Sequence, residues 1–209
     1  MMRGLAGALA LALLPASGNL RAECGCLWEG SFSDVQASAD LVVAAEVLRI
    51  KGNAVDIAIE EQLRGEAYLD DIRVWMETRD YCRPPAEEFP VGSRWILALK
   101  RITDVPDDGF DPSTPNQSFG RRDDYYLSSC GGYWLTYNGE VVTGNLVNAP
   151  RWARDPDMTP VFMDVLRAFL RGETDSEALL EASREDPAMM ELFLDTKAFL
   201  RGDEDIGRQ

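Results

Sequence analysis

Cys24, Cys26, Cys82 and Cys130 are the residues of this 209-residue chain whose chemistry constrains it most. The chain has no histidine. That excludes Ser-His-Asp and Cys-His catalysis, histidine-ligated zinc or haem, and the usual proton shuttle near neutral pH. Adjacent acids at Glu87-Glu88 and Asp123-Asp124 are of the type used in general acid–base work. Neighbouring carboxylates are also common on solvated surfaces, so the chain reads as a non-enzyme with no catalytic residue and no cofactor. A bond between Cys24 and Cys26 would strain so short a ring. Each therefore reaches a distant partner, either 24–82 with 26–130 or 24–130 with 26–82. A four-thiolate zinc site needs closely spaced pairs at both ends, and Cys82 and Cys130 each stand alone. A redox-active C-x-C pair lacks the βαβ pattern that usually surrounds one. Two structural disulfides, and no metal, are the expectation.

Disulfides persist in oxidising compartments, and the N-terminus reads as a route to one. Met1-Met2-Arg3 gives a short positive start, Gly4 to Leu14 is an unbroken run of Gly, Leu and Ala, and Pro15 to Gly18 breaks it. This is the order of a secretory signal peptide over residues 1–22, with cleavage after Ala22 and a retained membrane anchor as the competing reading. The mature protein is expected to be secreted or periplasmic. The formal net charge is −15, from 21 basic and 36 acidic residues. Nucleic-acid phosphates and anionic membranes repel such a chain unless its bases cluster. Arg121-Arg122 is followed at once by Asp123-Asp124, so the expected partner is neither.

The elements that must hold the cysteines are β-strands. Asp40 to Ile50 is rich in β-formers, and Val55, Ile57 and Ile59 alternate with Asp56, Ala58 and Glu60. Gly52-Asn53 joins these runs as a tight hairpin connection. Ile72, Val74 and Met76 alternate in the same way, and Gly92 precedes a strand at residues 93–101. Tyr125 to Ser129 and Tyr133 to Tyr137 are short aromatic strands. Asn138-Gly139 predicts a type I′ turn, with Glu140 to Thr143 returning. Such spacing without helical interruption argues for an antiparallel barrel or sandwich. Residues 103–124 are rich in Pro, Gly and Asp and read as a long exposed loop. Asp104, Asp107, Asp108 and Asp111 offer oxygen ligands, but not at EF-hand spacing, so a solvated acidic loop is the reading.

From Thr159 the period becomes helical. Thr159 as cap and Pro160 as first residue open a helix whose apolar stripe is Val161, Phe162, Val165, Leu166, Phe169 and Leu170, and Gly172 stops it. Thr174 with Glu177 makes a capping-box signature for a second helix. Asp186-Pro187 opens a third, carrying Met190, Phe193, Leu194 and Leu200. The domain reading is a signal peptide at 1–22, a β domain at 23–150 and an acidic helical tail at 151–209.

The ordered set of motifs resembles the netrin-like domain of the tissue inhibitors of metalloproteinases. It consists of Cys24-Gly25-Cys26, Ala39-Asp40-Leu41-Val42-Val43, Leu63-Arg64-Gly65, Cys82, Phe89-Pro90-Val91-Gly92 and Cys130-Gly131. It covers about residues 24–148. The resemblance implies a five-stranded OB-type barrel, extended here by the C-terminal helices, and the pairing Cys24–Cys82 with Cys26–Cys130. In those inhibitors the amine and carbonyl of the first cysteine chelate a protease's zinc. The ridge Cys24, Gly25, Cys26 and Leu27 is thus the binding surface implied, with another protein, an extracellular metalloproteinase, as partner. Two positions differ: Glu23 precedes Cys24 if cleavage follows Ala22, and Gly25 stands where the inhibitors place a side chain for the specificity pocket. The third pair of domain cysteines found in those inhibitors is missing.

A secreted binding module acting through this ridge is the first functional reading. The second is a structural accessory protein that docks a partner through its C-terminal helices. The third is an oligosaccharide-binding barrel with Trp75, Trp95, Tyr133 and Trp134 as a stacking platform, although a small barrel needs such rings as filling.

Overall fold

A computed structural model describes residues 25–78, 81–107, 109, 117–148 and 160–183. The proposed signal peptide, Cys24, Asp108, Asp111 and the third helix of the tail lie outside the described residues. Strand β1 (Leu41–Lys51) meets β2 (Ala54–Arg64) across the expected hairpin, with Gly52 at φ +59°. Strand β3 (Asp71–Trp75) pairs antiparallel with β2, and β4 (Arg94–Arg101) pairs antiparallel with β1. Strand β5 (Tyr125–Tyr126) is parallel to β3 and antiparallel to β4. The order β1-β2-β3-β5-β4, with β4 returning to β1, closes a five-stranded OB-type barrel.

Closure needs strong coiling, and β1 supplies it. Its pairing with β2 shifts register at Val42/Val43, Ala44/Ala45 and Val47/Arg49, and such bulges bend a strand and raise its twist. Leu41 to Ala45 are all buried, so neither face of β1 reaches solvent there. This is why the segment reads as a continuous apolar run where β2, open on one side beyond Ile57, alternates.

Three short strands extend the sheet from β4. Strand β6 (Trp134–Tyr137) pairs with the first half of β4, then β7 (Val141–Gly144) and β8 (Val161–Phe162) follow. The β6–β7 hairpin differs from the expected type I′ turn. Of its two turn residues only Gly139 has positive φ. Asn138 instead accepts the N–H groups of Glu140 and Val141 on its Oδ1, at 3.0 and 2.9 Å, so its side chain replaces the left-handed backbone.

Helix α1 (Phe32–Val35), continued by a 3₁₀ turn at Gln36–Ser38, precedes β1 and carried no periodic signal because it is a single turn. The tail opens differently from expectation. Val161 and Phe162 pair with β7, so helix α2 starts at Met163 and runs to Leu170, not from Pro160. A strand edge offered by β7 outweighs one further turn of helix. Gly172, at φ +73°, ends α2 as expected: its N–H reaches the Phe169 carbonyl and that of Glu173 the Ala168 carbonyl. Helix α3 (Ser176–Ala182) is capped by Asp175 rather than Thr174, the carboxylate accepting from Glu177 and Ala178. Leu166 and Leu179 are fully buried in the same cluster as the barrel residues, and Arg167 clamps Glu61 of β2 at 2.7 Å. These two helices spend their apolar faces on the barrel.

Candidate functional site

Gly25, Cys26 and Leu27 of the predicted ridge lie in residues 25–31, a stretch without helix or strand that leads into α1. Cys26 is bonded to Cys130, with Cα atoms 5.8 Å apart across 104 residues. Backbone bonds reinforce the staple: Glu29 N–H donates to the Cys130 carbonyl at 2.7 Å, and Gly132 N–H to that of Gly30 at 2.9 Å. The turn after Cys130 needs small residues. A Cβ on Gly131 would lie 2.8 Å from a Val35 methyl, and one on Gly132 2.8 Å from the backbone nitrogen of Phe32. The chain therefore passes here only as Gly131-Gly132.

Cys82 arrives beside this staple. Its carbonyl accepts from Ser129 N–H at 3.0 Å, and it is itself disulfide-bonded. The sulfurs of Cys26, Cys82 and Cys130 lie within 4.8 Å of one another, a ligand-like spacing, yet no described cysteine is a free thiol that could hold a metal. The implied Cys26–Cys130 pairing is observed, and the partner of Cys82 lies outside the described residues.

Two clusters that sequence reasoning missed position these strands. Tyr133, fully buried, donates its hydroxyl to Glu29, and Lys100 approaches the same carboxylate at 3.7 Å while lying 5.1 Å from the Tyr133 ring centre. Burial first, and the Glu29 carboxylate second, push the Tyr133 hydroxyl above its ordinary pKa. Arg83, next to Cys82, is 6% exposed and faces no carboxylate among the described residues. Its guanidinium sits 4.4 Å from the Phe119 ring centre and 4.7 Å from that of Tyr126, and donates to the Phe119 carbonyl at 2.6 Å. Burial pushes its pKa down to about 10. The alternating pattern could not reveal either cluster, because each joins residues from separate loops and strands.

At the ridge itself the side chains are open. Leu27 is 88% exposed, and a Cβ on Gly25 would meet nothing within 4 Å. A rigid backbone with an exposed apolar side chain suits docking into a partner's pocket, since little entropy remains to be lost on binding.

The remaining sequence motifs are distributed by structural need. Ala39-Asp40 and Leu63-Arg64-Gly65 meet at one end of the barrel: Arg64 donates to the Ala39 carbonyl at 3.2 Å, and Gly65, at φ +78°, packs on the Asp40 carbonyl. Phe89 is fully buried against the rings of Trp95 and Trp134, at 4.9 and 5.9 Å. Trp75 and Tyr133 are buried, so these aromatics serve as filling. Glu87 and Glu88 are exposed on a 3₁₀ turn, and Asp124 accepts from the Trp75 indole at 2.8 Å. No described helix is long and apolar enough to cross a membrane. No protein-family model, curated protein or solved structure matches the chain.

Proposed function

We propose that this protein is an exported, netrin-like binding module that engages another protein through the ridge around Gly25, Cys26 and Leu27, in the manner of the metalloproteinase inhibitors it resembles. The observation that carries the reading is a single juxtaposition. Leu27 projects 88% exposed from a backbone that Cys26–Cys130 and the Glu29 N–H lock to the barrel. An exposed apolar side chain on a fixed backbone can enter a partner's pocket with little ordering entropy left to lose. The barrel order supports the same reading, since it is the fold the motif resemblance implies. Zinc chelation by the first cysteine would require Cys24 to carry the free amine, and its barrel partner would then be Cys82.

Docking through the C-terminal helices is less supported, because the described part of the tail has Leu166 and Leu179 already committed to the barrel core. The test is an inhibition and binding panel of extracellular metalloproteinases with the exported protein, its N-terminus sequenced. Binding by the wild-type protein, weakened at least tenfold by Leu27→Asp with the fold intact, supports the reading. No binding or inhibition across the panel at high micromolar protein removes the proteinase partner. Binding that Leu27→Asp leaves unchanged removes the ridge.

A further inference from the structure

A pocket of about 670 Å³ opens on the barrel wall, and none of its lining residues belongs to the ridge. It lies between the β2–β3 connection, which contributes Tyr68 and Leu69, and the turn before β5, which contributes Arg121 to Asp124. Volumes of this size suit small ligands. One wall is apolar: Leu48, Tyr68, Leu69 and Ile72. Three of these are left facing solvent, with Leu48 41%, Tyr68 81% and Leu69 67% exposed.

The other wall is charged, with five arginines and four aspartates, of which Asp71 and Asp123 are exposed to solvent. In a chain where 36 acids outnumber 21 bases, the pocket is lined by Arg49, Arg73, Arg101, Arg121 and Arg122 against Asp56, Asp71, Asp123 and Asp124. Those charges are not equally available. Asp56 is held by both Arg49 and Arg73, at 2.5 and 2.6 Å, so these three groups together keep one net positive charge. Asp124 is occupied by the Trp75 indole. The Arg101 guanidinium lies 5.5 Å from the Tyr125 ring centre and donates to the Tyr125 hydroxyl at 3.2 Å, with no ion-pair partner among the described residues. Among the described residues Arg122 pairs with the exposed Asp104, at 3.4 Å, and the exposed Arg121 side chain has no ion-pair partner. The turn that presents Arg121 and Arg122 is fixed, because the N–H of Asp123, at φ +70°, donates to the Ile102 carbonyl and that of Asp124 to the Arg121 carbonyl. A non-glycine residue held in that region marks a turn whose shape the surroundings impose.

We infer that this pocket binds a small amphipathic anion, whose aryl or alkyl body lies against Leu48, Leu69 and Ile72 and whose sulfonate, sulfate or carboxylate group meets Arg101 and Arg121. Guanidinium groups take such oxyanions through two parallel hydrogen bonds. The Tyr125 ring and hydroxyl hold the Arg101 guanidinium at the pocket.

The probe is naphthalene-2-sulfonate, titrated into the ¹⁵N-labelled full-length exported protein. The expected result is saturable shifts confined to the amides of residues 48–49, 68–73, 101 and 121–125. Arg121→Gln, an exposed change that leaves the fold in place, should weaken binding at least fivefold, and Leu69→Ser by a similar factor. Naphthalene-2-methanol and naphthalene-2-methylammonium, of the same shape, should each bind at least fivefold more weakly. Shifts elsewhere, equal affinity for the neutral or cationic analogue, or no saturation by 10 mM (a Kd above about 10 mM is under 3 kcal/mol) would overturn the assignment.

Discussion

Asn53 holds both backbone groups of Ser118: its Oδ1 accepts from the Ser118 N–H at 2.9 Å, and its Nδ2 donates to the Ser118 carbonyl at 2.8 Å. The same Nδ2 lies 3.3 Å from the Met76 carbonyl. A residue that sequence logic assigns to a hairpin turn is therefore also the clamp on a loop 65 residues away. Asn53→Ala leaves those groups without their partner and should cost about 1–3 kcal/mol in urea unfolding. Asn53→Asp turns a carboxylate oxygen toward the Ser118 and Met76 carbonyls in a buried site and should cost at least as much as Asn53→Ala. Equal stability of all three proteins would show that the clamp contributes nothing.

The Cys26–Cys130 bond closes a loop of 104 residues. Chain entropy assigns such a crosslink about 4–5 kcal/mol, acting through the unfolded state. Replacing both cysteines by Ala, which leaves no stray thiol at either site, should lower the unfolding free energy by that order. It should also raise hydrogen exchange at the Glu29 amide, whose acceptor is the Cys130 carbonyl. A loss below about 1 kcal/mol would mean that the backbone bonds alone hold the ridge.

Gly65 and Gly92 both have positive φ, at +78° and +81°, yet they differ in surroundings. A Cβ on Gly65 would collide with the Asp40 carbonyl oxygen, whereas one on Gly92 meets nothing within 4 Å. Gly92→Ala should therefore cost about 1 kcal/mol, for backbone strain alone. Gly65→Ala adds a backbone clash and should cost about 2–4 kcal/mol. Thermal melts of the two variants, compared side by side, test the distinction, and matching Tm values would contradict it.

The barrel was legible because its strands obey period two or run continuously apolar, and because Gly52-Asn53 and Gly92 mark turns that only a few residues can make. The start of α2 was not. Val161 and Phe162 fit a helical stripe and a strand equally well, and only the free edge of β7 decides between them. The cap at Asp175 was displaced from Thr174 by one residue because both side chains can accept N–H groups and the carboxylate accepts two. At the ridge, the cysteines and Leu27 were visible in sequence, while Glu29, Tyr133 and Lys100 were not. Their meeting depends on barrel closure, which no local pattern encodes. The arginine pocket was hidden for the same reason: Arg121-Arg122 looks neutralised by Asp123-Asp124 in sequence, and the fold then adds Arg101 and ties Asp124 to Trp75.

Asp56 supplies a pH test of that pocket's framework. Hydrogen bonds from Arg73 hold its carboxyl below the ordinary value; burial opposes this, and Arg49 adds to it. A carboxylate with a depressed folded pKa gives stability that is fully present above its unfolded pKa of about 3.9 and is lost as pH falls through the lower folded value. No loss from this group is therefore expected between pH 7 and pH 5. Arg49 is 70% exposed, so solvent screens its share and Arg73 carries most of the effect. Asp56→Asn should lower the unfolding free energy at pH 7 by about 1–3 kcal/mol, leaving the Arg73 guanidinium without its anion. The deficit relative to wild type should stay constant from pH 7 to 5 and shrink below about pH 4, where the wild-type carboxyl is losing its charge too. Urea titrations at pH 7, 5 and 3 measure it. A deficit that is the same at pH 3 as at pH 7 would place its origin in packing rather than in the ion pair.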